Sequence, residues 1–213
     1  NGIHVMVSDH NSIIKCLDKL KFSKNNNEYD KFFIPTFTCI NNNSNKRYVV
    51  KERFGSGSTT AGINLTKKQA LKHSLLLKNP VFQPYINGYE LSIDAYIDIN
   101  KQIKGVLMRK RDIVVNGESK LTTMINDIFL ENQFISILNH LDLYGHVMLQ
   151  AIIDSKNQIH IIECNPRFGG ASTLSIKAGL ESFYWFYLES LKMSTENIQF
   201  NKSNANISQI RYS

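Results

Sequence analysis

Ile161-Ile162-Glu163-Cys164-Asn165-Pro166-Arg167-Phe168-Gly169-Gly170 is the stretch from which the rest of the chain can be read. Its β-branched opening favours an extended backbone, and Glu163 and Asn165, two apart on a strand, then project from one face. Upstream, Gly145 to Asp154 reads as a partner strand and Ser155 to Gln158 as the turn between them. If 155 faces 158, Gln150 falls opposite Glu163, and Gln150, Glu163 and Asn165 share one face. Three oxygen donors with a single charge make a poor cage for a free metal ion. They suit magnesium that keeps waters and draws its other oxygens from a nucleotide's phosphates. Arg167 follows at once, where a fixed cation can stabilise charge on a transferring phosphoryl group. The plainer reading is a solvated hairpin edge ending at a proline. Pro-Arg-Phe-Gly-Gly and the cross-strand glutamine count against it.

Two other segments carry chemistry. In Val49-Val50-Lys51-Glu52-Arg53-Phe54-Gly55-Ser56-Gly57-Ser58 a strand delivers a lysine and then a Gly/Ser loop whose backbone N–H groups can wrap phosphate oxygens. It is not a Walker A loop, because the lysine precedes the glycines. Nor is it the dinucleotide fingerprint, because Thr60 stands where the third glycine belongs. In Phe82-Gln83-Pro84-Tyr85-Ile86-Asn87-Gly88-Tyr89-Glu90, a strand and a bend lead into the clean alternation of Glu90 to Ile99. This can be an ordinary sheet corner, or a hinge whose backbone pairs with a base while Glu90 lies near ribose hydroxyls.

Around these segments the pattern predicts helices over Ser12 to Phe22, Thr66 to Lys78, Asp127 to Leu141 and Thr173 to Lys192. Strand-like Thr36–Ile40 and Tyr48–Lys51 flank the asparagine-rich 41–45 and read as a hairpin. Glu90 to Ile99 and Gln102 to Arg111 pair across a turn at Asn100-Lys101. Helices and hairpins in this order imply α+β with largely antiparallel sheets. Arg109 and Arg111 lie two apart on one strand face, and spacing alone does not choose between them.

Composition narrows the function classes. The chain has 213 residues, 42% hydrophobic and 20% charged, as a globular protein does. No apolar run is long enough to span a bilayer. Three scattered cysteines without a CxxC pair argue against a zinc cluster or a disulfide framework and point to the cytoplasm. The net charge of +7 comes from lysines spread along the chain, without the aromatic interleaving of an RNA-binding sheet, so no nucleic-acid partner is expected. Its six histidines form no spaced cluster and read as structural.

Taken together and in this order, the segments from about Ser12 to Leu191 resemble the ATP-grasp superfamily, nearest the carbamoyl-phosphate-synthase-like branch of carboxylate–amine ligases. The resemblance implies ATP held between two α+β lobes. Their expected extents are 23–86 and 87–213, with 1–22 as the end of an upstream domain and a linking helix. It implies ATP and Mg2+ (or Mn2+) as cofactors and phosphorylation of a carboxylate to an acyl phosphate that an amine captures. By motif, Lys51 would contact the α/β-phosphates and Gly55, Ser56, Gly57 and Ser58 would close over them. Gln83, Tyr85 and Ile86 would form the adenine hinge, Glu90 would hold the ribose, and Lys19 would reach the nucleotide from its helix. Gln150, Glu163 and Asn165 would be the metal ligands. Arg167, with Arg109 or Arg111, would serve the γ-phosphate and the substrate carboxylate. Narrower variants are phosphorylation of bicarbonate or carbamate, and an ATP-binding module without turnover. Two departures stand out: Gln83 occupies a commonly acidic position, and Met148 replaces an asparagine. The family's N-terminal domain is expected to survive only in Gly2 to Asp9. The run Phe183 to Leu188 admits a homo-oligomer, or simply core packing.

Overall fold

A computed structural model describes residues 3–24, 28–40, 47–55 and 60–212. The elements run α1 (His10–Leu17), α2 (Lys19–Phe22), a 3-10 turn at Glu28–Phe32, β1 (Tyr48–Glu52), β2 (Gly62–Leu65), α3 (Lys67–Ser74) and β3 (Pro80–Pro84). They continue as β4 (Gly88–Ile97), β5 (Ile103–Val115), β6 (Glu118–Ile125), α4 (Ile128–Leu138), β7 (Gly145–Asp154) and β8 (Ile159–Asn165). The chain closes with α5 (Ser172–Lys177), α6 (Ser182–Ser190) and β9 (Ser208–Ile210). The strands form a three-stranded sheet, β2-β1-β3, and a six-stranded sheet, β8-β7-β4-β5-β6-β9. Every strand pairing is antiparallel, which is the α+β class the sequence implies.

Local chemistry explains where the elements stop. The expected helix from Ser12 to Phe22 breaks at Asp18, whose carboxylate accepts from the N–H groups of Leu20 and Lys21 and starts α2 afresh. Arg53 then clamps that carboxylate from β1's end with two hydrogen bonds, 2.7 and 2.6 Å. Thr66 opens α3 through a reciprocal capping box with Gln69, and the helix ends at Ser74 rather than at Lys78. The expected helix from Thr173 to Lys192 is two, α5 and α6, parted at Gly179. This glycine has φ +106°, and a Cβ there would meet Asn201 O at 2.2 Å. Within α6, Trp185 and Leu188 face the core while Phe183, Tyr184 and Tyr187 are exposed.

Thr36–Ile40 is not a strand. Phe37 makes an isolated bridge to Phe82, and β1 pairs instead with β2 and β3. The proposed loop at 41–45 lies outside the described residues. Residues 33–37 nonetheless join the two sheets: Ile34 N–H donates to Ile161 O on β8, and Phe37 exchanges two hydrogen bonds with Phe82 on β3. Strands β6 and β9 were not anticipated.

One face of the large sheet is apolar and packs under α1, α2 and α4, with Leu91, Ile93, Leu149, Ile153, Phe134 and Ile137 fully buried. The opposite face is mixed: Tyr96, Leu107 and Met124 pack against the α5 and α6 region, and polar residues face the small sheet.

Candidate nucleotide and metal site

Register builds the site. In β7–β8, Gln150 faces Glu163 and Met148 faces Asn165, as the sequence implies. It does so by two compensating irregularities. The turn is one residue longer than expected, with Asp154 N–H donating to Gln158 O and Asn157 at φ 58°. A bulge at Ile162 then restores the pairing. Ser92 is opposite both Gln150 and Arg109, which sets Glu90 beside Arg111. Glu90, Arg111, Gln150, Glu163 and Asn165 therefore stand on one face at one end of the sheet.

The small sheet supplies the other wall. Val49 faces Gln83, and Lys51 faces Val81, so Lys51 and Gln83 look the same way. Between the sheets lies a cavity of about 310 Å³ lined by Lys19, Lys51, Gln83, Tyr85, Glu90 and Glu163, among others. Burial pushes the Lys51 ammonium down to about 8, against the pull of Glu163 and Glu90 and with Lys19 adding to the depression. Lys51 makes no hydrogen bond among the described residues. A cation desolvated and left without a donor–acceptor partner is a standing invitation to an anion. Lys19 donates to Gly55 O at 2.8 Å, holding the start of the Gly/Ser loop, and burial lowers its pKa too. Gly55 has φ +97° and lines the cavity. Ser56, Gly57 and Ser58 lie outside the described residues.

The oxygen donors are mutually held. Asn165 Nδ2 donates to Glu163 Oε1 at 3.1 Å, Arg111 Nη1 donates to Glu90 Oε2 at 2.8 Å and to Gln150 Oε1 at 3.2 Å. One carboxylate and two amide oxygens fit a divalent cation whose remaining charge is met by phosphate. Among the described residues no group of three His, Cys, Asp or Glu is placed to hold a metal ion. At the hinge, Tyr85 N–H is committed to Arg47 O at 3.0 Å, whereas Ile86 N–H is unbonded among the described residues.

A second cavity, about 230 Å³, opens on the far side of Glu163 and Asn165. Four arginines line it: Arg109, Arg111, Arg167 and Arg211. Arg167 is exposed and donates to Phe168 O at 3.1 Å. Arg211 escaped the sequence reading. It follows the three-residue β9, carries no motif, and crosses Gly170 so closely that a Cβ there would lie 2.6 Å from its Nη1.

Of the two undecided arginines, Arg109 is sealed. It donates to Asp94 at 2.7 Å and to Ser175 at 3.1 Å, with both charged side chains essentially fully buried. Asp94 also accepts from Ser172 and Ser175, each at 2.6 Å, and lies 3.2 Å from His146 Nε2. Burial works to raise this carboxyl, yet Arg109 and His146 hold it well below the usual range. The network positions the Phe168-Gly169-Gly170 turn: Gly169 N–H donates to Ser172 Oγ at 2.8 Å, and Phe168 stacks on His146 at 3.9 Å. Asp94 on β4 and His146 on β7 thus brace this turn; the alternating pattern of β4 gave the face of Asp94 but not its partners, and His146 carried no signal. Cys164 points to the opposite face, where its hydrogen bond with Cys16, and then burial, raise the thiol.

Comparison with known proteins follows the same lines. A family described as "ATP-grasp in the biosynthetic pathway with Ter operon" matches residues 77–212. No curated protein sequence matches the chain. Among solved structures, the biotin carboxylase domain of Hydrogenobacter thermophilus 2-oxoglutarate carboxylase, in complex with MgADP, ADP and bicarbonate, is similar with a TM-score of 0.80 and 13% identity over 99% of this chain and 53% of that one. N5-carboxyaminoimidazole synthase from Aspergillus clavatus, with ADP and 5-aminoimidazole ribonucleotide, gives 0.77 and 10% over 96% of this chain and 58% of that one. The Staphylococcus aureus N5-carboxyaminoimidazole synthetase complexed with ADP gives 0.72 and 19% over 88% and 54%. At these identities the likeness is one of fold. The chain spans about half the length of these relatives, 53 to 58%. Among the described residues no helix is long and apolar enough to cross a membrane.

Proposed function

The chain belongs to the ATP-grasp family, and from that premise we propose that it is the nucleotide-binding and catalytic core of an ATP-dependent carboxylate–amine ligase. The observation that carries the reading is the convergence of the Lys51 ammonium, unpartnered among the described residues, with Gln150 and Glu163 in one cavity between two sheets, Asn165 being hydrogen-bonded to Glu163 at its edge. ATP enters as substrate between the lobes, taken as 23–86 and 87–213. Lys51 binds its phosphates, and Ile34, Ile86 and Ile152 provide the apolar end of the cavity. Glu163, Asn165 and Gln150 would hold magnesium, which when bound neutralises phosphate charge and fixes the γ-phosphoryl group for in-line attack. The arginine-lined second cavity suits an anionic acceptor, and Arg167 and Arg211 would orient it toward that group.

In the reaction, a carboxylate oxygen forms a bond to the γ-phosphorus as the bond to the β–γ bridging oxygen breaks, releasing ADP. An amine nitrogen then bonds to the acyl carbon, phosphate leaves with the C–O electron pair, and the nitrogen loses a proton. Bicarbonate is the alternative acceptor, favoured by the modest size of the second cavity, about 230 Å³.

Titration calorimetry of ATP with and without magnesium, on the wild type and on Glu163→Ala, tests the proposal. Magnesium is expected to tighten ATP binding to the wild type and to lose most of that effect, on the order of a hundredfold, without Glu163. Magnesium-independent binding, or binding indifferent to Glu163, would sink it.

A further inference from the structure

On the face of β8 turned away from Glu163 and Asn165, the strand meets α1 through sulfur. Cys164 stands between those two residues and points into the core of the large sheet, where Cys16 reaches it from the last turn of α1. The two are 3% and 8% exposed, and their thiols are hydrogen-bonded to each other. A buried thiol is ordinarily an inert small hydrophobe. This pair differs in two ways. It joins two elements far apart in sequence, and a cavity of about 270 Å³ is lined by both cysteines. Lys19, Gly55, Glu163 and Arg167 line the same cavity, so it adjoins the nucleotide and metal site.

The surroundings decide which partner can move. Cys164 is held in the ladder opposite Leu149 on β7. By contrast, α1 is an eight-residue helix with Ile14 and Leu17 exposed. Its start is tied down, because Ser12 Oγ donates to Asp142 O at 2.7 Å. Its end runs directly into Asp18 and Lys19. Lys19 N–H donates to Arg53 O at 3.1 Å, and its Nζ to Gly55 O at 2.8 Å. A shift of the last turn of α1 is therefore passed to the start of the Gly/Ser loop. A disulfide brings its sulfurs to about 2.05 Å, well inside hydrogen-bonding distance, and the helix end has to follow.

We propose that Cys16 and Cys164 form a modification site at which a hydroperoxide makes a reversible disulfide, and that this bond draws Lys19 off Gly55 and weakens nucleotide binding. The second half rests on the nucleotide reading above; the first stands without it. Cys16, the less buried of the two, receives the peroxide's terminal oxygen. An S–O bond forms, the O–O bond breaks, and the thiol proton leaves with the departing oxygen as water or an alcohol. The Cys164 sulfur then attacks that of Cys16. The S–S bond forms, the S–O bond breaks, and the hydroxyl departs with the Cys164 proton as water. The two thiols lose two electrons and the peroxide gains them. A transient disulfide of this kind is compatible with a reducing compartment, where a structural framework is not.

The test uses the full chain carrying Cys39→Ser, which leaves this pair as its cysteines. Treated with hydrogen peroxide, the chain should lose the mass of two hydrogens, and trypsin should release peptides 16–19 and 157–167 joined together. Calorimetry in magnesium should find ATP bound about tenfold more weakly after oxidation, the order of one charge-assisted hydrogen bond. A dithiol reductant should restore both mass and affinity. Cys164→Ala should abolish the link and the loss of affinity together. Thermal melts establish folding, and Cys16→Ala on the half-exposed helix takes its place if the strand variant fails to fold. Oxidation of the folded chain without the 16–164 link would overturn the proposal. A link that leaves ATP affinity unchanged would overturn the control it exerts. A reduced chain that binds no ATP would sink the nucleotide reading, and with it that control, while the link, read by mass, would still decide the modification site.

Discussion

Arg109 and Arg111 stand two residues apart on the same face of the same strand, yet they live in different chemistries. Arg109 is walled in by Asp94, Ser175 and Met148, and its side chain is 1% exposed. Arg111 bonds Glu90, Gln150, Ser119 and the Gly117 carbonyl, and its Glu90 partner is 39% exposed at the cavity rim. The contrast extends to the clusters they belong to. Around Asp94 both carboxylate oxygens are satisfied by serine, histidine and arginine donors. Around Lys51 a cation is desolvated and, among the described residues, makes no hydrogen bond, with Glu163 and Glu90 acting on it only through their charge. A polar cluster that closes on itself is scaffold, and one left open is a site.

The sharpest way to break the comparison is to remove Asp94. Asp94→Ala leaves Arg109 charged and buried without a counter-ion, which should cost about 3–5 kcal/mol. For a domain of this size the thermal midpoint should fall by roughly 10 °C or more. A loss below about 1 kcal/mol would mean that water or rearrangement replaces the carboxylate, and that the sealed cluster is not scaffold.

How much of this was legible beforehand follows the same division. The open cluster could be read because its members recur at strand spacing: Glu163 and Asn165 alternate, and Gln150 needs only a hairpin register. That register came out right although the turn and the bulge at Ile162 were both invisible, their one-residue offsets cancelling. The sealed cluster was not legible. Asp94, His146, Ser172 and Ser175 meet only when α5 docks on the sheet, and no local period encodes docking. Strand β6 is a different kind of miss. Asn116-Gly117, with φ 51° and 79°, is the favoured two-residue hairpin turn, and it stood in the sequence between two apolar runs. Strand β9 and Arg211 gave no local signal, since three residues at an edge have too little pattern to find. The Thr36–Ile40 strand failed because a β-rich composition cannot distinguish a ladder from a single bridge.

A smaller effect separates the two arginines directly. Arg111→Met should cost about 1–2 kcal/mol, because Glu90 stays hydrated at the rim and only the tie to the β5–β6 turn is lost. Arg109→Met should cost about 3–5 kcal/mol by exposing the buried Asp94 charge to an apolar neighbour. Chemical denaturation of both variants reads the difference. Equal losses would show that depth along this strand does not decide the role.

The smallest expected effect tests whether the open cluster is open because of its charge. Lys51 ionises near 8 in the free chain, chiefly through burial, with Lys19 opposing and Glu163 and Glu90 favouring the ammonium. The sign follows from linkage. Below about 8 the ammonium is present and binds phosphate at full strength. Above it, a proton must be taken up on binding, so affinity falls until the pKa of the bound state is reached. ATP affinity at saturating magnesium should therefore fall by about fivefold between pH 7 and 9. The unfolded chain, with an ordinary lysine near 10.5, keeps its proton over the interval above 8, so the free protein should gain stability as pH rises there. The two trends run in opposite directions, which distinguishes Lys51 from a group whose deprotonation loosens the fold. Lys51→Arg, permanently charged, should flatten both. A pH-independent affinity in the wild type would mean that the cavity's attraction for phosphate comes from backbone N–H groups rather than from this buried cation.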